Sequence, residues 1–205
     1  MRAARTILLA ALSLVLAGCG FVGVPAEEKE ERSVSKASLQ QATENADLMM
    51  QGTLTAVKPE LTWVHGPSLD RSCSDYEVDG RATGSISRNV VVMTVVSKAR
   101  RGSLLGLIER YWKAQNYEIT SVDSDEETPA IFARTSQGFR MSVSVEKKGQ
   151  FFFNITTPCF ITSEVEAPKA PPNGAPFEGP VVPDPYVRSD FWSATTAIPL
   201  ASPSR

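Results

Sequence analysis

Hydrophobic and polar positions along the chain change period several times, and each change marks an expected element. From Ser35 the apolar positions Leu39, Ala42, Ala46, Met49 and Val57 recur at three, four or multiples of these, which predicts an amphipathic helix ended by Pro59. Ser38-x-x-Gln41 has the form of a capping box for its start. Leu61 to Val64 reads as a short strand around Trp63, and "HGPSLDRSCSDYEVDG" as a polar loop. Ser85 to Val96 is rich in β-branched residues and predicts a buried strand. After a basic turn, Lys98 to Gly102, Ser103 is placed to cap a helix carrying Leu104, Leu105, Leu107, Ile108, Tyr111 and Trp112 to about Gln115. That apolar stripe is wide enough to lie on a sheet, and Asn116 suits the left-handed position beyond the helix.

Strands are expected at Tyr117 to Val122, Ala130 to Arg134, Phe139 to Glu146 and Phe151 to Thr157. The connections between them are short and turn-like, which favours hairpins and an antiparallel meander. Phe139, Met141, Val143 and Val145 alternate with Arg140, Ser142 and Ser144, so one face is core and the other is wet. Phe151, Phe152 and Phe153 break the alternation and put an aromatic ring on the second face. Cover of that face explains the run better than a binding patch does. The fold class expected is α+β: an antiparallel, meander-like sheet with the N-terminal helix and a second amphipathic helix packed on one face.

Ahead of this domain, Arg2 and Arg5 precede an apolar stretch from Ile7 to Leu16, too short to span a bilayer and typical of a signal peptide. Leu16-Ala17-Gly18-Cys19 resembles the lipobox of bacterial lipoproteins. By that resemblance residues 1–18 are removed and Cys19 becomes a lipidated N-terminus on the outer face of the cell membrane. More than one acyl chain gives stable attachment. The run "EEKEER" at Glu27 to Arg32 then belongs to a charged spacer over 19–34, with the globular domain at 35–163.

Cysteine usage agrees with export. Setting Cys19 aside leaves Cys73 and Cys159, an even pair in a compartment that permits a disulfide. A redox or nucleophilic cysteine is the alternative, without a C-x-x-C spacing to favour it. Loss of Arg2 and Arg5 takes the net charge from −2 to −4, so neither a nucleic-acid footprint nor a polybasic membrane patch is visible. Residues 164–205 hold nine of the 14 prolines and are expected to form a largely disordered tail, with the aromatics of "PYVRSDFW" available to dock.

Candidate chemistry is sparse. His65, the single histidine, sits beside Gly66 and Pro67 and reads as a surface residue. Asp70, Asp75, Glu77 and Asp79 invite calcium, but their spacing does not fit an EF-hand and a solvated loop is the better reading. Met49 and Met50 read as core filler. Asn154-Ile155-Thr156 has the form of a glycosylation sequon, discounted beside a bacterial lipobox. No G-x-S-x-G, H-E-x-x-H, S-x-x-K or P-loop motif occurs. No cofactor, metal or catalytic residue is therefore expected.

The order of features resembles the LppA-like lipoproteins of mycobacteria. They are a lipobox, an N-terminal helix, Thr62-Trp63 before Cys73, an amphipathic helix leading into Tyr117, Gln137-Gly138-Phe139 before a strand, Asn154-Ile155-Thr156 ahead of Cys159-Phe160, and a proline-rich tail. The resemblance implies an actinobacterial cell-envelope lipoprotein with an α+β domain and no established activity. A membrane-anchored binding or scaffold module with an envelope protein or wall partner is the expected function. The alternatives are a carrier of lipid or another apolar ligand, and a hydrolase using paired carboxylates.

Overall fold

The computed structural model describes residues 38–146, 149–177 and 181–196. The signal segment 1–18, Cys19 and the spacer 19–34 lie outside them. Helix α1 spans Leu39–Ala56 and starts with the expected capping box. The Gln41 N–H donates to Ser38 Oγ at 3.3 Å, and the Ser38 N–H donates to Gln41 Oε1 at 3.2 Å. Leu39, Ala42, Ala46, Met50 and Leu54 form its buried stripe.

Helix α2 spans Lys98–Ala114, so it begins ahead of Ser103 and its N-cap is Ser97. The basic residues expected in a turn form its first turn instead. Arg100 is buried there, with its guanidinium carbon 4.8 Å from the centre of the Phe191 ring. An arginine stem is long and apolar, and its head can stack on an aromatic face, so a cation is compatible with this packed position. Asn116 has a φ of 60°, as expected just beyond a helix end.

Among the described residues eight strands form one antiparallel sheet: β1 Trp63–His65, β2 Leu69–Val78, β3 Arg81–Val92, β4 Glu118–Asp123, β5 Ala130–Arg134, β6 Arg140–Val145, β7 Phe151–Thr156 and β8 Phe160–Ile161. The main order is β1-β3-β7-β6-β5-β4, with β2 and β8 also paired to β3. Long β3 therefore serves two partners on each edge. β2 and β1 share one edge, while β8 and β7 share the other. The α+β class and the meander β4 to β7 are as the hydrophobic pattern predicts.

The polar stretch before β3, read as a loop, is instead strand β2. It joins β3 through Asp79 and Gly80, both at positive φ, with Val78 opposite Arg81. Those two positive φ angles define the tight hairpin whose twist suits paired strands. Because β2 is an edge strand with mostly exposed side chains, it shows no apolar alternation.

One face of the sheet, carrying Ile86, Val90, Val92, Met141, Val143, Val145, Phe151, Phe153 and Ile155, packs under the two helices. Arg88 belongs to this face and is tied to α1, its Nε donating to Asp47 Oδ1 at 3.0 Å. Its Nη1 donates to Ser68 Oγ at 2.8 Å and its Nη2 to the Glu166 carbonyl. Burial raises the Asp47 carboxyl above the ordinary aspartate value, and the charge and hydrogen bond of Arg88 partly offset the rise.

On the opposite face, Val64, Val91, Met93 and half-buried Phe152 form a second apolar cluster beneath Phe177, Val182 and Val187. Phe152 is thus the ring that breaks the alternation, and the chain's own C-terminal segment covers it.

That segment corrects the expectation of a largely disordered tail over 164–205, within the residues described. The Val95 N–H donates to the Val187 carbonyl, and the Tyr186 and Val187 N–H groups to the Met93 carbonyl. Trp192 is fully buried in the main core, with Nε1 donating to the Pro59 carbonyl at 2.7 Å. Proline-rich composition prevents a segment from building its own core. It does not prevent one from filling a gap in a core that already exists.

Cys73 and Cys159 form the expected disulfide, with a Cα separation of 6.2 Å. Ser72 and Phe160 flank them and both lie opposite Gly84, on either side of β3. Strands flanking a central strand are about 9.6 Å apart, so a direct bridge needs the chain to leave the sheet plane. It does so through a bulge: five steps from Ser72 to Glu77 face two from Gly84 to Ala82.

Cys73→Ser and Cys159→Ser are each expected to lower stability by about 2–5 kcal/mol, and the double substitution by little more. Urea unfolding with additive losses would contradict the pairing. Trp192→Ala is expected to cost about 3–5 kcal/mol in the same assay, whereas a loss below about 0.5 kcal/mol would mean that the tail is not part of the core.

The Asp47 shift also has a sign. A carboxyl raised on folding favours the folded state while protonated, so its contribution is present at low pH and lost as pH rises through the folded pKa. An NMR titration of the Asp47 side chain should show a midpoint above ordinary aspartate, moving further up in Arg88→Met. A downward move in that variant would contradict the assigned roles.

Candidate functional site

Among the described residues the surface holds a groove and a stretch of open sheet face. The first is an open groove of about 450 Å³ between the start of α1, the first half of β2, β3 and the segment after β8. Leu39, Ile86 and Val165 supply its apolar lining, while Ser68, Asp70, Arg71, Ser72, Arg88, Thr162 and Ser163 supply polar groups. Arg88 is engaged by Asp47, Ser68 and Glu166, while Arg71, opposite Ser85, carries its side chain to the other sheet face. Asp70 is the carboxylate that lines it. A lone exposed carboxylate beside an arginine does not make the acid and base pair that hydrolysis of a glycosidic or similar bond needs.

The second surface is the part of the helix-free sheet face left between two covers. At one end lie the tail residues on Val91, Met93 and Phe152. At the other lies the β2 bulge between Ser72 and Glu77, which carries the Cys73 to Cys159 disulfide. There the Thr83 hydroxyl donates to the Tyr76 carbonyl inside the β2 bulge, and Thr83 and Ser85 are buried.

Strand register builds the floor between these covers. One row runs Phe132, Ser142, Asn154 and Asn89 across β5, β6, β7 and β3. The adjacent row runs Arg134, Arg140, Thr156, Ser87 and Leu69. The amides and hydroxyls in the middle form one hydrogen-bonded chain. Ser87 Oγ lies 2.8 Å from Thr156 Oγ1, which donates to Asn154 Oδ1 at 3.0 Å. Asn154 Nδ2 donates to Asn89 Oδ1 at 2.7 Å, and Asn89 Nδ2 to the Pro67 carbonyl at 2.8 Å.

These side chains are half-buried, and each retains hydrogen-bonding capacity beyond the bonds within the chain. Phe132 and Leu69 mark the two ends and are 41% and 59% exposed. At the Phe132 end, Arg134 pairs with Glu118 on β4 at 2.8 Å, and Arg140 beside it is exposed.

Sequence-predicted residues are spread between structural roles. The Cys73 and Cys159 sulfurs are bonded to each other, which removes both as nucleophiles. His65 Nε2 donates to the Ala170 carbonyl at 2.8 Å, and its ring meets Trp63 edge-on, so it pins the tail. Asp70 enters the groove, and Asp79 forms the β2–β3 hairpin. Among the described residues no group of three or more His, Cys, Asp or Glu is placed to hold a metal ion. Met50 is core, and Met49 packs against it.

Missed altogether was the Ser87, Asn89, Asn154 and Thr156 constellation. Its one sequence trace is the sequon-like Asn154-Ile155-Thr156, whose polar residues share a face because they are two apart on a strand.

Among the described residues no helix is long and apolar enough to cross a membrane. The disulfide is the chemistry of an oxidising, extracytoplasmic compartment. Comparison with known proteins adds little more. No protein-family model and no curated protein matches the chain. Among solved structures the fold is similar to that of a DUF4853 family protein from Actinomyces odontolyticus ATCC 17982, with a TM-score of 0.44 and 13% identity, over 71% of this chain and 77% of that one.

Proposed function

We propose that the protein is an actinobacterial cell-envelope lipoprotein of the LppA-like kind, held to the outer face of the membrane by lipid on Cys19. In this reading it acts as a binding or scaffold module without catalytic activity. The observation that carries the reading is the half-open polar floor on the helix-free sheet face. Among the described residues the C-terminal segment covers the apolar row at Phe152, and the amides and hydroxyls of the next rows remain half-exposed.

The groove supports a carrier of lipid less well. Its volume of about 450 Å³ would admit a small ligand, but sites for apolar molecules are lined mainly by apolar side chains and this one is not. The large aromatic side chains Trp112, Phe139, Phe151 and Phe153 are fully buried and pack against each other's neighbours in the core.

Cosedimentation of the mature, acyl-free protein with membrane-stripped cell wall tests the reading. Wild type and the groove variant Asp70→Lys should be retained alike, and Ser142→Lys, which fills the floor, should be released. Release of wild type, or release by Asp70→Lys alone, would overturn it. Cys19→Ala should separately shift the full-length protein out of the membrane fraction.

A further inference from the structure

We propose that the floor between the tail and the disulfide bulge is a binding trough for a single linear glycan chain, a polyhydroxylated strand. This deepens the binding-module reading and rests on it. The first reason is shape. From β5 across β6, β7 and β3 to β2 the trough crosses four strand spacings, roughly 19 Å, while only two side-chain rows lie open between its borders. A surface so narrow falls short of the roughly 800 Å² that each partner of a stable protein complex contributes. It suits one extended chain.

The second reason is chemistry. Asn89, Asn154, Ser87, Thr156 and Ser142 present donors and acceptors together, which is what a strand of hydroxyl groups needs because each hydroxyl both donates and accepts. The bonds among them fix their orientation before a ligand arrives, so little side-chain freedom is lost on binding. An extended peptide would be recognised by main-chain groups at a sheet edge, and a sheet face offers none.

The third reason is the pair of ends. Phe132 stands in the same row as Ser142 and Asn154 and is exposed at the trough's mouth. Its ring offers a flat apolar surface for the C–H face of a sugar. Glu118 pairs with Arg134 beside it, and exposed Arg140 lies in the adjacent row.

The test uses the mature full-length chain, labelled with nitrogen-15, and three neutral linear probes: chitotetraose, cellotetraose and maltotetraose. The side-chain amides of Asn89 and Asn154 are followed by NMR to about 10 mM sugar, a range that reaches affinities near 1 mM. At least one probe should shift both amides together, and Phe132→Ala should weaken that binding about tenfold. Because Phe132 is exposed, this variant keeps the fold, and its backbone spectrum verifies that. Ser142→Lys should abolish the shifts, and Asp70→Lys in the groove should leave them unchanged.

No shift at either amide with all three probes would overturn the glycan assignment, as would shifts confined to Asp70 and Ser72 in the groove. Retention on cell wall without any tetrasaccharide response would reject the glycan while the binding-module reading stands. Loss of wall retention would reject that reading itself.

Discussion

Double-sided pairing of β3 is the constraint on which the rest depends. Its residues hold β2 and β1 on one edge and β8 and β7 on the other, so four separate chain segments take their register from one strand. Its helix-side residues Ile86, Val90 and Val92 meet the core under α1 and α2, and Arg88 fastens α1 through Asp47. Each opposite-side residue has a different neighbour. Thr83 and Ser85 lie at the disulfide bulge, Ser87 and Asn89 at the open floor, and Val91 and Met93 under the tail. A single strand thus sets the core, the covers and the surface between them.

The two covers work by different physics. The disulfide joins segments on opposite sides of β3 and closes a loop of 86 residues, limiting the unfolded chain as well as fastening the bulge. The tail is held by burial and by main-chain bonds at its far end, where Val187 extends the sheet edge beyond β3 and Trp192 enters the core. Arg100 completes that attachment beneath Phe191. A segment that composition marks as incapable of folding alone becomes ordered because the domain supplies the apolar neighbours it lacks.

Much of this was legible in the amino-acid sequence, and the failures have physical causes. The Ser38 capping box, the alternation from Phe139 to Val145 and the unpaired ring in Phe151 to Phe153 are local patterns, and local patterns survive folding. Strand β2 was hidden because an exposed edge strand needs no apolar alternation, although Asp79-Gly80 carried the hairpin signal. The early start of α2 was hidden because Arg100 is buried through its stem and Phe191, a contact far away in sequence. Trp192 fills its gap without periodic neighbours, so nothing local announced it. The polar floor unites β3, β5, β6 and β7, and its composition becomes visible only once the register is known.

The C-terminal segment borders the sheet through the Val95 and Ser97 amides, which donate to the Val187 and Trp192 carbonyls of the tail. Native-state hydrogen exchange at these two amides should show protection close to that of the β3 amides, falling together with them in denaturant. Exchange of both at the rate of an open chain, while β3 stays protected, would contradict this attachment.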